Sequence, residues 1–259
     1  MLGAIAGDVI GSVHEGSGTK TKDFALFDED CRYTDDTVLT VAVAEHLLRG
    51  TGYVDLFHDY FAAYPQAGYG FNFTLWAGRR VREPYGSCGN GSAMRVAPIG
   101  FAGRSLEEVM REAKASAAVT HDHPEGIRGA QATAVAVYLA RTGADKPTIK
   151  AQIESDFGYR LSERLDDLRT YYRGDETCQG SVPQSIIAFL ESTDYEDAIR
   201  NAISLGGDAD TMACIAGGIA EAFYGGVPQA ITESALERLD ERLRNVIREF
   251  TDKFSIPHA

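Results

Sequence analysis

Two short stretches supply the oxygen donors that a hard metal ion accepts. In SLGGDADTMACIAGG, residues 204–218, Asp208, Asp210 and Thr211 follow a glycine pair at the start of a run of small and apolar residues. In YTDDT, residues 33–37, Thr34, Asp35 and Asp36 open a second helix-like run. Carboxylates and hydroxyls with no nitrogen or sulfur among them suit Mg2+, Mn2+ or Ca2+. Both stretches also have a plainer reading, because Thr and Asp are ordinary N-cap residues. Acidic residues in a first turn gain only about 0.3–1 kcal/mol each from the helix dipole. Adjacent aspartates repel one another if buried, so a cation beside Asp35 and Asp36 explains both charges better than capping does. For Asp208, Asp210 and Thr211 alone, cap and cation site stay open alternatives.

Other segments carry weaker signals. Gly86, Gly89 and Gly91 crowd into YGSCGNGSAMRVAPIGF, where backbone N–H groups can cradle phosphate oxygens. Arg95 in the same segment offers a fork for a phosphate or a structural carboxylate. His121 and His123 flank Asp122 in a turn before Pro124, too sparse a set for zinc; a ligand-contacting loop and a helix cap are both open. The aromatics of AGYGFNFTLWAG fit core packing better than base stacking.

Helices must position these groups, since strand-like alternation is nearly absent. Thr34 is a good N-cap for a helix carrying Val38, Leu39, Val41, Ala42, Ala44, Glu45 and Leu48. Gly3, Gly7 and Gly11 fall near one face of a first helix over 1–12 and let another backbone come close. Asp8 on that buried-looking helix needs a partner, in a capping role or behind a ligand. An amphipathic helix is expected over 53–64. Helical patterns then run over 105–119, 124–142, 147–156, 162–173, 184–192, 194–204, 209–224 and 228–254, with a break near 240. Gly180, Ser181 and Pro183 mark a helix start.

Composition narrows the classes. The chain has 259 residues and a formal net charge of −13, which disfavours bulk binding to nucleic acid or anionic lipid. Cys31, Cys88, Cys178 and Cys214 form no CxxC pair, so reduced thiols in a cytoplasm are expected. Asp8 interrupts the apolar start, no stretch reaches the roughly 20 apolar residues of a membrane span, and no linker divides the chain. A monomer is the default expectation, with oligomeric state open.

Taken together, GDVIGSVHE, YTDDT, GNGSAMR, THDHPEG and GGDADT occur in the order and spacing of the ADP-ribosylglycohydrolases, the family of the dinitrogenase-reductase-activating glycohydrolase. The chain resembles that family over nearly its whole length. The resemblance implies an all-α fold, a compact orthogonal helical bundle with a central bimetal site, as one domain over 1–259. It implies that Thr34, Asp35, Asp36, Asp208, Asp210 and Thr211 hold two Mg2+, with Mn2+ as an alternative, and that Glu15 and Asp36 are catalytic. Gly89, Asn90, Gly91, Ser92, Ala93 and Met94 would wrap the ribose and diphosphate, with His121, Tyr85 and Cys88 also on the substrate. Glu15 matches a glutamate of the branch that includes serine-linked ADP-ribose hydrolases and that the arginine-directed vertebrate branch lacks. Cys88 stands where that branch tends to carry an aromatic, leaving Tyr85, Phe71 or Trp76 to stack on adenosine. The implied activity is Mg-dependent hydrolysis at the anomeric carbon of the distal ribose, releasing ADP-ribose from a protein, nucleic acid or small-molecule acceptor. An ADP-ribose-binding module without turnover and a dimetal phosphoesterase are the alternatives.

Overall fold

Helical periodicity governs the chain. The computed structural model describes residues 1–254, and among them there are fifteen helices and no strand, only an isolated bridge between Gly89 and Thr177. The elements that build the site are α1 (Leu2–Gly11), α2 (Asp35–Arg49), α5 (Gly91–Met94), α8 (Pro124–Arg141), α11 (Cys178–Leu190) and α13 (Ala209–Tyr224). No described helix is long and apolar enough to cross a membrane.

The centre is α13, buried without interruption from Ala209 to Glu221. Small residues let neighbours reach its backbone, and α1, α8, α11 and α12 (Tyr195–Ile203) all pack on it. The glycine spacing of α1 is used as its sequence suggests. A Cβ on Gly7 would lie 2.2 Å from the Ala213 carbonyl oxygen, and one on Gly11 would lie 2.4 Å from the Asp210 Cα. Alanine at either position would push the helices apart. At the far end Glu221 accepts from the Gly3 N–H at 2.8 Å. The close approach at Gly7 and Gly11 brings Asp8 of α1 beside the first turn of α13, so the helix packing itself assembles the acidic cluster.

The break expected near 240 is present, whereas one helix start and one whole helix differ from the sequence reading. The run expected over 184–192 starts earlier, at Cys178, because Thr177 caps it by accepting from the Gly180 N–H at 3.2 Å; Pro183 lies inside the helix rather than at its start. Residues 228–254 form two helices, α14 (Gln229–Glu237) and α15 (Glu241–Phe254), separated at the break near 240. A helix over Phe71–Gly78, α4, went unread because its aromatics sit among glycines and lack a polar face.

Candidate metal and substrate cleft

The starts of α2 and α13 face each other. Thr34 caps α2 with its Oγ1 accepting from the Asp36 N–H at 3.2 Å. Behind it Asp8 accepts from the Thr34 and Thr37 N–H groups at 3.0 and 3.1 Å, from the Thr34 hydroxyl at 2.7 Å and from the Thr37 hydroxyl. Asp8 therefore performs the anchoring that its burial demanded. It orients the N-terminus of α2 and leaves the carboxylates of Asp35 and Asp36 to the cleft.

On the other side the Asp208 side chain is not a helix cap. The residue occupies the N-cap position of α13, yet its side chain makes no capping bond. Instead its Oδ2 accepts from the Asn90 side-chain amide at 2.6 Å. The Thr211 hydroxyl donates to Asp36 Oδ2 at 3.3 Å, joining the two helix starts. Two groups of carboxylates result, Asp8 with Asp36 and Asp210, and Glu15 with Asp208 and Asp210, the possible ligand atoms within each lying within 4.8 Å of one another.

Such crowding cannot hold its full negative charge unaided. Burial pushes the Asp8 carboxyl up to about 6 against the pull of its hydrogen bonds. Burial, then the charges of Asp8, Asp208 and Glu15, push Asp35 up to about 8. Burial and the neighbouring carboxylates raise Asp36 and Asp210 well above the ordinary range. Asp36 Oδ1 is buried with no hydrogen-bond partner. A buried carboxylate oxygen without a donor is costly, and an oxygen-only donor set with such an orphan fits a divalent cation. Glu15, on the turn after α1, is not set apart from this cluster but belongs to it. Its carboxyl is raised by partial burial, then by Asp208 and Glu176.

These groups line one side of a cleft of about 520 Å3. Across it stands the glycine loop, held by the Asn90 N–H donating to the Glu176 carbonyl at 2.8 Å. Gly89, Asn90, Gly91, Met94, His121 and Tyr85 line the cleft together with Thr34, Asp35, Asp36, Asp208, Asp210, Thr211 and Glu15. Three residues named from the resemblance do not. Ser92 points away and donates to the Gly126 carbonyl at 2.7 Å, Ala93 is fully buried beneath the loop, and Cys88 is absent from the lining while its carbonyl accepts from the Cys178 N–H at 2.8 Å. Trp76 is withdrawn as well: it is buried and its indole donates to the Glu83 carbonyl at 2.9 Å. Phe71, 77% exposed, and Tyr85 remain as aromatic faces on the cleft.

His123 is a helix cap, its Nδ1 accepting from the Glu125 N–H at 3.1 Å, whereas His121 is buried against the glycine loop. Arg95 is buried under the same loop and pairs with no carboxylate. Gln66, Gly68, Asn72 and Arg32 also line the cleft. Nothing in their sequence context distinguishes them from ordinary loop residues.

Known proteins resemble this chain over most of its length. The family model for ADP-ribosylglycohydrolase matches residues 1–258. The chain is 28% identical to ADP-ribosylhydrolase ARH3 of Mus musculus, over 97% of this chain and 91% of that protein. Against ADP-ribosylhydrolase ARH3 of Homo sapiens it is 28% identical, over 87% and 84%. An ADP-ribosylarginine hydrolase of Pseudomonas putida is 30% identical over 54% of this chain and 39% of that protein. A solved structure described as an ADP-ribosylglycohydrolase-related protein complex superposes with a TM-score of 0.67 at 25% identity, covering 96% of this chain and 95% of that one. With the family model, the full-length relatives and the shared fold agreeing over the same residues, the chain belongs to the ADP-ribosylglycohydrolase family and is a glycosidic hydrolase.

Proposed function

We propose that the enzyme uses divalent cations, Mg2+ or Mn2+, to hydrolyse the bond at the anomeric carbon of the distal ribose, releasing ADP-ribose from an ADP-ribosylated acceptor. The chain would act as one functional unit. The observation that carries the reading is the meeting of two carboxylate groups at Asp210, beside Asp36, whose buried Oδ1 has no hydrogen-bond partner among the described residues. Thr34, Asp35, Asp36, Asp208, Asp210 and Thr211 would hold the cations. Once bound, such ions supply positive charge and Lewis acidity to substrate oxygens.

The protein's own groups do the rest. Asp8 keeps the first turn of α2 in place, and Asn90 holds Asp208 by its 2.6 Å bond, so the donors are oriented before substrate arrives. Glu15, at the open edge of the cluster with a raised carboxyl, takes a proton from the attacking water or gives one to the leaving group. Asp36 orients the same region from beneath. The glycine loop presents backbone N–H groups to the diphosphate, and Phe71 or Tyr85 offers a face to the adenine.

A panel of defined ADP-ribosyl linkages, on arginine, serine, a nucleobase and a small molecule, tests the reading with Mg2+ present. Release of free ADP-ribose from at least one of them is expected. AMP as the product indicates a phosphoesterase, and tight binding of ADP-ribose without release from any linkage indicates a binding module.

A further inference from the structure

The His121 ring packs against Gly89 and Gly91 of the glycine loop, and its surroundings dictate where its proton sits. Arg95 is fully buried, with its guanidinium carbon 4.5 Å above the Phe57 ring. Its Nη2 donates to the Ser116 carbonyl at 2.8 Å and to the Thr120 hydroxyl at 2.9 Å. Thr120 Oγ1 lies 2.7 Å from His121 Nδ1. A guanidinium can only donate, so Thr120 must accept from Arg95. Thr120 is itself fully buried, and its remaining proton finds an acceptor at His121 Nδ1. That leaves the imidazole proton on Nε2.

Nε2 is aimed at the glycine loop. A Cβ on Gly91 would lie 3.3 Å from it and one on Gly89 3.6 Å, so the two glycines keep this nitrogen open to the cleft. Burial opposes a second proton, and so does the nearby Arg95 charge; together they hold the group well below its ordinary value.

We propose that Arg95 and Thr120 are positioning residues that fix His121 as the neutral Nε2–H tautomer, so that it donates a hydrogen bond to an anionic oxygen of the bound diphosphate. This rests on the ADP-ribose reading above for the identity of the acceptor, but the tautomer follows from the ligand-free geometry alone. The arrangement gives a donor whose strength does not change with pH near neutrality. An imidazolium would bind the anion more strongly but would come and go with pH.

Long-range 1H–15N NMR of the ligand-free enzyme, with His121 assigned through H121Q, reads the tautomer directly. The expected result is an unprotonated Nδ1 and a protonated Nε2 across pH 6 to 8, an interval bracketing about 6.5, the ordinary histidine value. A proton on Nδ1 overturns the relay. Calorimetric titration with ADP-ribose then compares T120V with T120S: the valine variant loses about tenfold in affinity with KM raised rather than kcat lowered, and the serine variant binds as the wild type does. A folded T120V that binds as tightly as the wild type contradicts the proposal. If the wild type binds no ADP-ribose yet carries its proton on Nε2, the diphosphate acceptor is wrong and the tautomer assignment stands.

Discussion

The two walls of the cleft solve the problem of buried polar groups in opposite ways. On the loop wall Ser92, Thr120 and His121 find partners within the protein, and Arg95 is satisfied at two of its three nitrogens. On the acidic wall the carboxylates mostly face one another, and Asp36 Oδ1 faces nothing that donates. One wall is largely satisfied as folded. The other crowds negative charge that protons or a bound cation must offset, and on the proposed function this wall is the place of cleavage and the loop wall the place of grip.

The largest effect should come from removing a shared donor on the acidic wall. Asp210 belongs to both carboxylate groups, so Asp210→Ala is expected to abolish turnover while the far-ultraviolet dichroism stays native. Substantial activity in that variant would break the division between the walls. Glu15→Gln removes the proton-exchanging group without emptying the deeper cluster and should cost about 10²–10⁴-fold in kcat. Wild-type turnover on every linkage would remove Glu15 from the chemistry.

Stability should register the same crowding of charge. Asp8 and Asp35 have folded-state values of about 6 and about 8, above the ordinary 3.8, so the native state binds protons that the unfolded chain has already lost. Without metal, stability therefore falls as pH rises between about 4 and 8, the reverse of the usual trend for aspartates that gain partners on folding. Metal-free Tm should be lower at pH 8 than at pH 5, and Mg2+ should raise it more at pH 8. A Mg2+-induced rise in Tm no larger at pH 8 than at pH 5 would mean the carboxylates already have their partners.

The smallest effect lies on the loop side. Phe71→Ala should weaken ADP-ribose binding by about tenfold if its exposed ring stacks on adenine. Trp76→Phe should leave that affinity unchanged, because the indole is buried and bonded away from the cleft. Equal losses from the two would remove the distinction between Phe71 as an adenine face and Trp76 as a buried support.

What the sequence revealed depended on whether a residue's type fixed its direction. The glycine stripe of α1, the N-cap Thr34 and the paired aspartates were legible because spacing alone puts them on one face or at one helix start. For the segment Cys88–Met94 the fold decides which way each side chain turns, so Ser92 and Ala93 read as ligand contacts although they face the core. Phe71–Gly78 escaped for a related reason: Phe73 packs against Phe61, Tyr69 and Trp76 while Phe71 is exposed, so no clean apolar and polar stripes betray the helical period. Asp8 was visible as a buried charge needing a partner, but the partner, the first turn of α2, is supplied by tertiary packing.

The central claim is that the acidic wall works only with a divalent cation. Enzyme stripped with EDTA and then titrated with Mg2+, assayed for free ADP-ribose released from a linkage that the untreated enzyme cleaves, tests it most directly. The account expects no release before Mg2+ is added and recovery of turnover afterwards. Full activity in excess EDTA would contradict it.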